Sequence, residues 1–414
     1  MADSVDRARW LREARFGLFV HWGMYALYGR GEQVLFREHL TPSAYRARAA
    51  EFNPWAYDPR QWAECARAAG MRYAVLTAKH HDGYCLFDSA VSNLTSARSG
   101  PKRDLVHEYL EAFRRAGLRV GLYYSLADWG WPAYFRGPAR DPQGFERFRE
   151  YTHAQVRELC TQYGDLDLLW FDGAWPHGVD EWRARELIDM IRDLQPAALV
   201  NDRTGLPGDL VTPEQHVPGG TQARPWESCV TSVERHWGYH AGDTLWKSAT
   251  QVIHMLAQAA EGGGNLLLNV GPRADGTWPA QFQDLLQEVG DWLRVNGEAI
   301  YGCEPGVCES ISFGRQTVRS GTVYLHVLYW PGETLRLAGL DNHVLRARYV
   351  ADGCPIRFRQ EGDAITLEGL PSLAPDPRNT VIALEVEGEP RPCSWAADRL
   401  WQGDAGRMVG WSET

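Results

Sequence analysis

Between about residue 15 and residue 301, short apolar runs alternate with longer amphipathic stretches. This rhythm restricts the fold more than any other feature of the chain. The apolar runs are 16–20, 73–77, 120–124, 166–171, 198–200 and 266–270. Between them, apolar residues recur at helical spacing over 60–69, 105–116, 145–163, 182–194, 245–261 and 282–296. Gly70, Gly117, Gly164, Gly262 and Gly297 follow five of these stretches, as C-terminal caps of helices should. Strand–helix alternation means a parallel sheet, because parallel neighbours need crossover connections. Six such units fit a (β/α)8-like barrel over residues 1–302 better than an open sheet. The stretch 201–245 is loop-rich and poor in helical signal, so a complete eightfold repeat does not follow from the sequence.

After Gly302 the texture changes. Short strand candidates at 315–318, 322–328, 334–337, 344–349, 356–359, 365–367 and 380–386 are separated by turns such as Trp330-Pro-Gly and Ala351-Asp-Gly. Many short strands without helices read as an antiparallel β-sandwich, here over 303–414.

The net charge of −10 argues against a nucleic-acid partner, which needs a basic face. The opening residues 1–10 are polar and lack the apolar core of a signal peptide, and no apolar run approaches a membrane span. Eight scattered cysteines with no CxxC pair suggest buried, reduced thiols rather than a zinc or redox site. Together these features lead us to expect a cytoplasmic protein with no membrane partner. Nothing in the chain specifies an oligomeric state. The 18 tryptophans supply flat faces on which sugar rings stack, although a large core uses them too.

What closes each apolar run carries the chemistry. The first ends in His21-Trp22-Gly23, the second in Lys79-His80-His81-Asp82-Gly83, the third in Tyr123-Tyr124-Ser125, the fourth in Trp170-Phe171-Asp172-Gly173 and the fifth in Asn201-Asp202-Arg203. If the strands are parallel, these polar ends meet on one rim. Imidazoles, a phenol, a guanidinium, carboxylates and indoles together form a pocket for a polyhydroxylated ligand. Glycoside cleavage suits such a rim, because it needs two carboxyls flanking one bond. Asp172 is the candidate nucleophile, with Arg203 as its cation. Glu227, in Pro225-Trp226-Glu227-Ser228-Cys229, is the first choice for the acid, because a neighbouring indole would desolvate it. Glu214, in Thr212-Pro213-Glu214-Gln215, is the second. His80 and His81 are adjacent and would point to opposite faces of a strand, so they do not readily share a metal ion. No Gly-x-Ser-x-Gly elbow is present, and Gly262-Gly-Gly-Asn265 precedes a strand rather than a phosphate-binding helix.

Six ordered motifs, Phe19-Val-His-Trp-Gly, Lys79-His-His-Asp-Gly, Leu169-Trp-Phe-Asp-Gly, Val200-Asn-Asp-Arg, Trp226-Glu-Ser-Cys and Gly264-Asn-Leu-Leu-Leu-Asn-Val-Gly-Pro, resemble the α-L-fucosidases of glycoside hydrolase family 29. The resemblance runs from about Trp10 to Tyr301 and implies a retaining, metal-free and cofactor-free exo-glycosidase acting on terminal α-L-fucose of oligosaccharides or glycoconjugates. It implies Asp172 as nucleophile and Glu227 as acid/base, with Glu214 still open. It also implies His21, Glu32, His80, His81, Tyr124 and Arg203 around the sugar, with Trp22, Trp170 and Trp237 along the pocket. The family often carries Ser-Glu-Trp where this chain has Gly31-Glu32-Gln33.

Overall fold

The computed structural model describes residues 6–308 and 311–393. The chain divides into two compact units, residues 1–294 and residues 295–414. In the first unit, β1 (Phe16–Val20), β2 (Tyr73–Lys79), β3 (Arg119–Ser125), β4 (Leu168–Asp172), β5 (Leu199–Val200), β6 (Glu227–Thr231) and β7 (Asn265–Val270) form one parallel sheet. Its order is β5-β4-β3-β2-β1-β7-β6.

The two edge strands do not pair with each other. Residues 210–215 lie between them: Leu210 bridges Asn201 beyond β5, while Val211 and Glu214 bridge Trp226 and Cys229 at β6, all in parallel sense. Backbone bonds from Glu227 N–H to Val211 C=O and from Gln215 N–H to Cys229 C=O extend this ladder. The sheet therefore curls closed into a (β/α)8-like barrel, with an irregular segment as its eighth strand. The helix-poor stretch noted in the sequence is where that segment and β6 lie. Both escape an apolar-run search because three of the five residues of Glu227-Ser-Cys-Val-Thr231 are polar and Leu210-Val-Thr-Pro-Glu-Gln215 has only two adjacent aliphatic residues before it turns polar.

Helices Pro59–Ala68, Leu105–Arg115, Pro142–Gln162, Ala184–Leu194, Ala249–Glu261 and Ala280–Asn296 follow six of the strands. Capping chemistry, more than apolar periodicity, sets where they start. The Asp141 side chain accepts from Gly144 N–H with Pro142 in the first turn, so that helix begins ahead of Phe145. Ser248 and Gln251 form a reciprocal capping box, so the helix that ends at Glu261 begins at Ala249 rather than Leu245.

Alternate residues of each strand point inward. Phe19, Tyr73, Val75, Tyr123, Leu168, Trp170, Leu199, Leu210, Cys229 and Leu267 pack together as the barrel interior, with Leu11 and Ala14 of the short helix Arg9–Ala14 among them. Gly17 makes room for this filling. A Cβ there would lie 2.4 Å from the ring of Tyr73, which crosses the interior at that level.

The second unit is antiparallel. Strands β8 (Glu304–Pro305), β9 (Gly314–Arg319), β10 (Thr322–Val327), β11 (Thr334–Ala338), β12 (Val344–Tyr349), β13 (Arg357–Glu361), β14 (Ala364–Glu368) and β15 (Thr380–Val386) form two sheets. Their orders are β12-β15-β10-β9-β8 and β11-β14-β13. Leu325, Ile382 and Leu384 of the first sheet share one core with Leu335, Leu337, Ile365 and Leu367 of the second. This is the sandwich expected from the turn spacing. The last part of the expected sandwich, 394–414, lies outside the described residues.

Substituting Gly17→Ala would force Tyr73 out of its place in a filled interior. We expect a loss of about 1–3 kcal/mol, the usual range for overpacking, read as a lower denaturant midpoint; an unchanged midpoint would mean that the interior yields freely at this level.

Candidate active site

At the C-terminal ends of the barrel strands lies a cavity of about 180 Å³, lined among others by Phe19, His21, Glu32, His80, His81, Tyr123, Trp170, Asp172, Arg203, Glu214 and Trp237. Its position follows from the pleat. On β4 the inward positions are Leu168, Trp170 and Asp172, so the indole lies one step below the carboxylate. Gly173 then turns the chain at φ +70°, where a Cβ would come within 2.7 Å of Ser125 Oγ.

Asp172 is nearly buried and held from two sides. Tyr123 O–H donates to its Oδ2 at 2.9 Å, and Arg203 Nη1 donates to its Oδ1 at 3.3 Å. His81 Nε2 lies 3.7 Å from Oδ2. Arg203 is itself clamped by the closing segment: its Nε donates to Thr212 Oγ1 (3.0 Å) and its Nη2 to Thr212 C=O (3.1 Å). The same Nη2 reaches Glu214 Oε2 at 2.9 Å, and the guanidinium lies 4.6 Å from the Trp170 ring centroid. One cation thus bridges a carboxylate in the pocket wall and another at its mouth. Side-chain exposure separates their surroundings, 12% for Asp172 against 43% for Glu214.

The imidazoles present acceptors. Asn269 donates its amide to Trp237 C=O (2.7 Å), so its Oδ1 takes the proton on His21 Nδ1 (2.6 Å) and leaves His21 Nε2 as an acceptor. Ser125 donates to Ala127 C=O (3.0 Å), so its Oγ accepts from His81 Nδ1 (2.6 Å) and the same tautomer results. Burial holds both rings neutral, lowering His21 to about 3 and His81 to about 4 against weaker raising effects of Asn269 and Asp172 respectively. Burial also lowers His80, with His81 and His21 beside it. Glu32 is buried in the wall and accepts the backbone N–H groups of Trp237 (3.1 Å) and Gly238 (2.8 Å). Burial raises its pKa, partly offset by those donors.

Three expected residues are not at the cavity. Tyr124 has the opposite parity to Tyr123 on β3. Its ring faces out of the barrel, its hydroxyl donates to Gln155 Oε1 at 2.8 Å, and Tyr123 occupies the pocket instead. Trp22 follows the end of β1 and packs against Phe52, Tyr57 and Trp62, with its N–H on Arg273 C=O. Glu227 is the correction that matters most. It begins β6 opposite Asn265, at the low end of the barrel, and is fully buried. Its two oxygens accept from Tyr73 O–H (2.7 Å) and Trp170 Nε1–H (2.9 Å). Burial does raise its pKa, to about 7, but beneath the cavity rather than in it. The sequence reading omitted Tyr123, Asn269, Cys229 and Trp175. Parity along β3, β7 and β6 was the only signal for Tyr123, Asn269 and Cys229, and it needs a known register to be used; Trp175 lies past the end of β4, where no periodicity marks it.

Among the described residues, His236, His240 and Asp243 form the one cluster with ligand-like spacing. The two imidazoles stack at 4.2 Å with planes 4° apart. An ion binds in the plane of each ring, and two stacked parallel planes share no such point. The arrangement suits a hydrogen bond from His236 Nδ1 to Asp243 (2.8 Å).

A family model described as Alpha-L-fucosidase matches residues 2–298. The chain belongs to the α-L-fucosidase family. It is similar to the tissue α-L-fucosidase of Rattus norvegicus, 34% identical over 360 residues covering 80% of this chain and 78% of that one. Among solved structures it is similar to α-L-fucosidase isoenzyme 1 from Paenibacillus thiaminolyticus, with TM-score 0.88, 40% identity and coverage of 92% and 99% of the two chains. It is also similar to a GH29 α-L-fucosidase from Bacteroides thetaiotaomicron, trapped as a covalent intermediate in complex with 2-fluoro-fucosyl fluoride, with TM-score 0.84, 28% identity and coverage of 91% and 95%. As an α-L-fucosidase the chain is a glycoside hydrolase acting on fucosides, on a (β/α)8-like domain followed by a β-sandwich.

The neutral imidazoles set a pH dependence. Below about pH 6.5 an unfolded histidine takes up a proton that the folded pocket refuses. The contribution of His21 and His81 is therefore intact above that pH and is lost as pH falls toward 4. Histidine ¹⁵N shifts at pH 5 should report both rings neutral; two imidazolium signals from these residues would contradict the site as drawn.

Proposed function

We propose that the chain is an exo-acting, retaining α-L-fucosidase in which Asp172 is the nucleophile and Glu214 the acid/base. The observation that carries this is the Arg203 bridge: Asp172 and Glu214 are the two cavity carboxylates within reach of one guanidinium. Glu214 is at the mouth, where a leaving group departs, while both Glu227 oxygens are engaged below.

The steps balance with these groups alone. Asp172 attacks the anomeric carbon as the bond from that carbon to the leaving oxygen breaks. Glu214, protonated at this stage, gives its proton to that oxygen. The ester between Asp172 and the sugar is then opened by water, whose proton passes to Glu214 as a new carbon–oxygen bond forms. Retention is supported by the trapped covalent intermediate of the similar Bacteroides thetaiotaomicron enzyme.

The rest of the pocket fits a neutral sugar. His21 and His81 offer Nε2 acceptors to hydroxyl groups, and Trp237 offers an apolar face to the ring. Below this level the barrel is filled by Tyr73, Leu168 and Leu267, so a chain cannot thread through and a terminal residue must be the one bound. Fucosylated glycans or simpler fucosides are the substrates this supports.

Asp172→Ala should nearly abolish turnover of an aryl α-L-fucoside. Glu214→Ala should lower turnover of poor leaving groups by about 10²–10⁴-fold, leave activated aryl fucosides far less affected, and be rescued by azide. Proton NMR of early product should show the α-anomer first. Early β-anomer would mean inversion, and a Glu214→Ala loss that ignores the leaving group would remove Glu214 from the acid role.

A further inference from the structure

Glu227 has no part in the reaction just described, yet it occupies a demanding position. A carboxyl withdrawn from water needs donors on its oxygens, and Glu227 has one on each: Tyr73 O–H from one side and Trp170 Nε1–H from the other. The Tyr73 hydroxyl also receives Asn265 Nδ2–H at 3.4 Å. Glu227 itself is fixed by the β6–β7 register opposite Asn265. An anchored carboxylate therefore holds the edge of the indole that lies beside the reacting groups.

That indole is the surface on which Arg203 rests, 4.6 Å from its centroid, with Tyr123 stacked alongside at 5.6 Å and 22° and Phe19 at 5.1 Å. Tyr123 and Arg203 are also the two hydrogen-bond donors to Asp172. Any rotation of the Trp170 ring moves both. The bond from its single N–H selects one rotation, because it is the only polar atom of the side chain.

We propose that Glu227 is a positioning residue: by pinning the Trp170 indole from below, it fixes where Arg203 and Tyr123 hold Asp172 and Glu214. This rests on the reading of Asp172 and Glu214 as the reacting pair. It also assigns an indirect role to a residue whose sequence surroundings pointed to direct proton transfer. Its raised pKa, near 7, is then a consequence of burial beneath the pocket.

The test compares Glu227→Gln with Glu227→Leu, both assayed per active site titrated with a 2-fluoro-fucosyl fluoride. Gln can turn its carbonyl oxygen to the indole N–H while its amide donates to Tyr73, whose hydroxyl can accept. Activity should stay close to that of the parent. Leu keeps the volume and offers no acceptor. Displacement of catalytic groups by about 1 Å costs up to ~10²-fold, so kcat should fall about 10–100-fold, by the same factor for good and poor leaving groups, with no azide rescue. Trp170→Phe removes the N–H from the other side; it should lose a similar factor, and adding Glu227→Leu to it should lose nothing more. Azide rescue of Glu227→Leu, full activity in that variant, equal losses in Gln and Leu, or additive losses with Trp170→Phe would each overturn the inference. The Glu214 assignment fails separately, on the azide response of Glu214→Ala.

Discussion

The Arg203 guanidinium is the group around which this active site is assembled. It lies on an indole, is clamped by Thr212 of the closing segment, and reaches Asp172 and Glu214 at once. Only arginine has a planar fork able to satisfy so many acceptors from one position. The arrangement also explains why the barrel must close. Without residues 210–215 between β5 and β6, Thr212 would not hold the guanidinium and Glu214 would not face Asp172. Removing one partner from a buried ion pair costs about 3–5 kcal/mol, because the other charge is left unpaired. The pocket is therefore bound into the stability of the fold.

The histidines add no charge to the cavity. The imidazoles are neutral and oriented by Asn269 and Ser125, each of which directs its own donor to a backbone carbonyl. A sugar without charge binds best to fixed dipoles in a site from which water is excluded, since these need no reorganisation when charge develops at the anomeric carbon. Acceptors for hydroxyl groups on two histidines, the apolar face of Trp237 and a carboxylate at the wall meet that need.

Much of this was legible in the chain and some of it was not, for reasons of strand geometry. Buried parallel strands are continuous apolar runs, so six of the seven barrel strands and the residues ending them could be read directly. Asp172, His21, His81 and Arg203 were found that way. β6 and the closing segment are short and carry polar residues into the interior, and they hid both the eightfold closure and the orientation of Glu227 and Glu214. Parity decided the remainder. Neighbouring residues on a strand face opposite ways, so Tyr123 and Tyr124 are indistinguishable until the pairing of Ser125 with Asp172 fixes the register. Glu227 is desolvated by its depth in the barrel, with Trp170 rather than the neighbouring Trp226 on its carboxyl, and that depth, which decides whether desolvation serves catalysis, is not written in local sequence.

The account turns on which carboxylate meets the sugar. Incubation with a 2-fluoro-fucosyl fluoride, proteolysis and mass spectrometry of the labelled peptide would test that directly. The account predicts a single fucosyl ester on Asp172. A label on Glu227 or Glu214, or no label in enzyme that turns over an aryl fucoside, would contradict it.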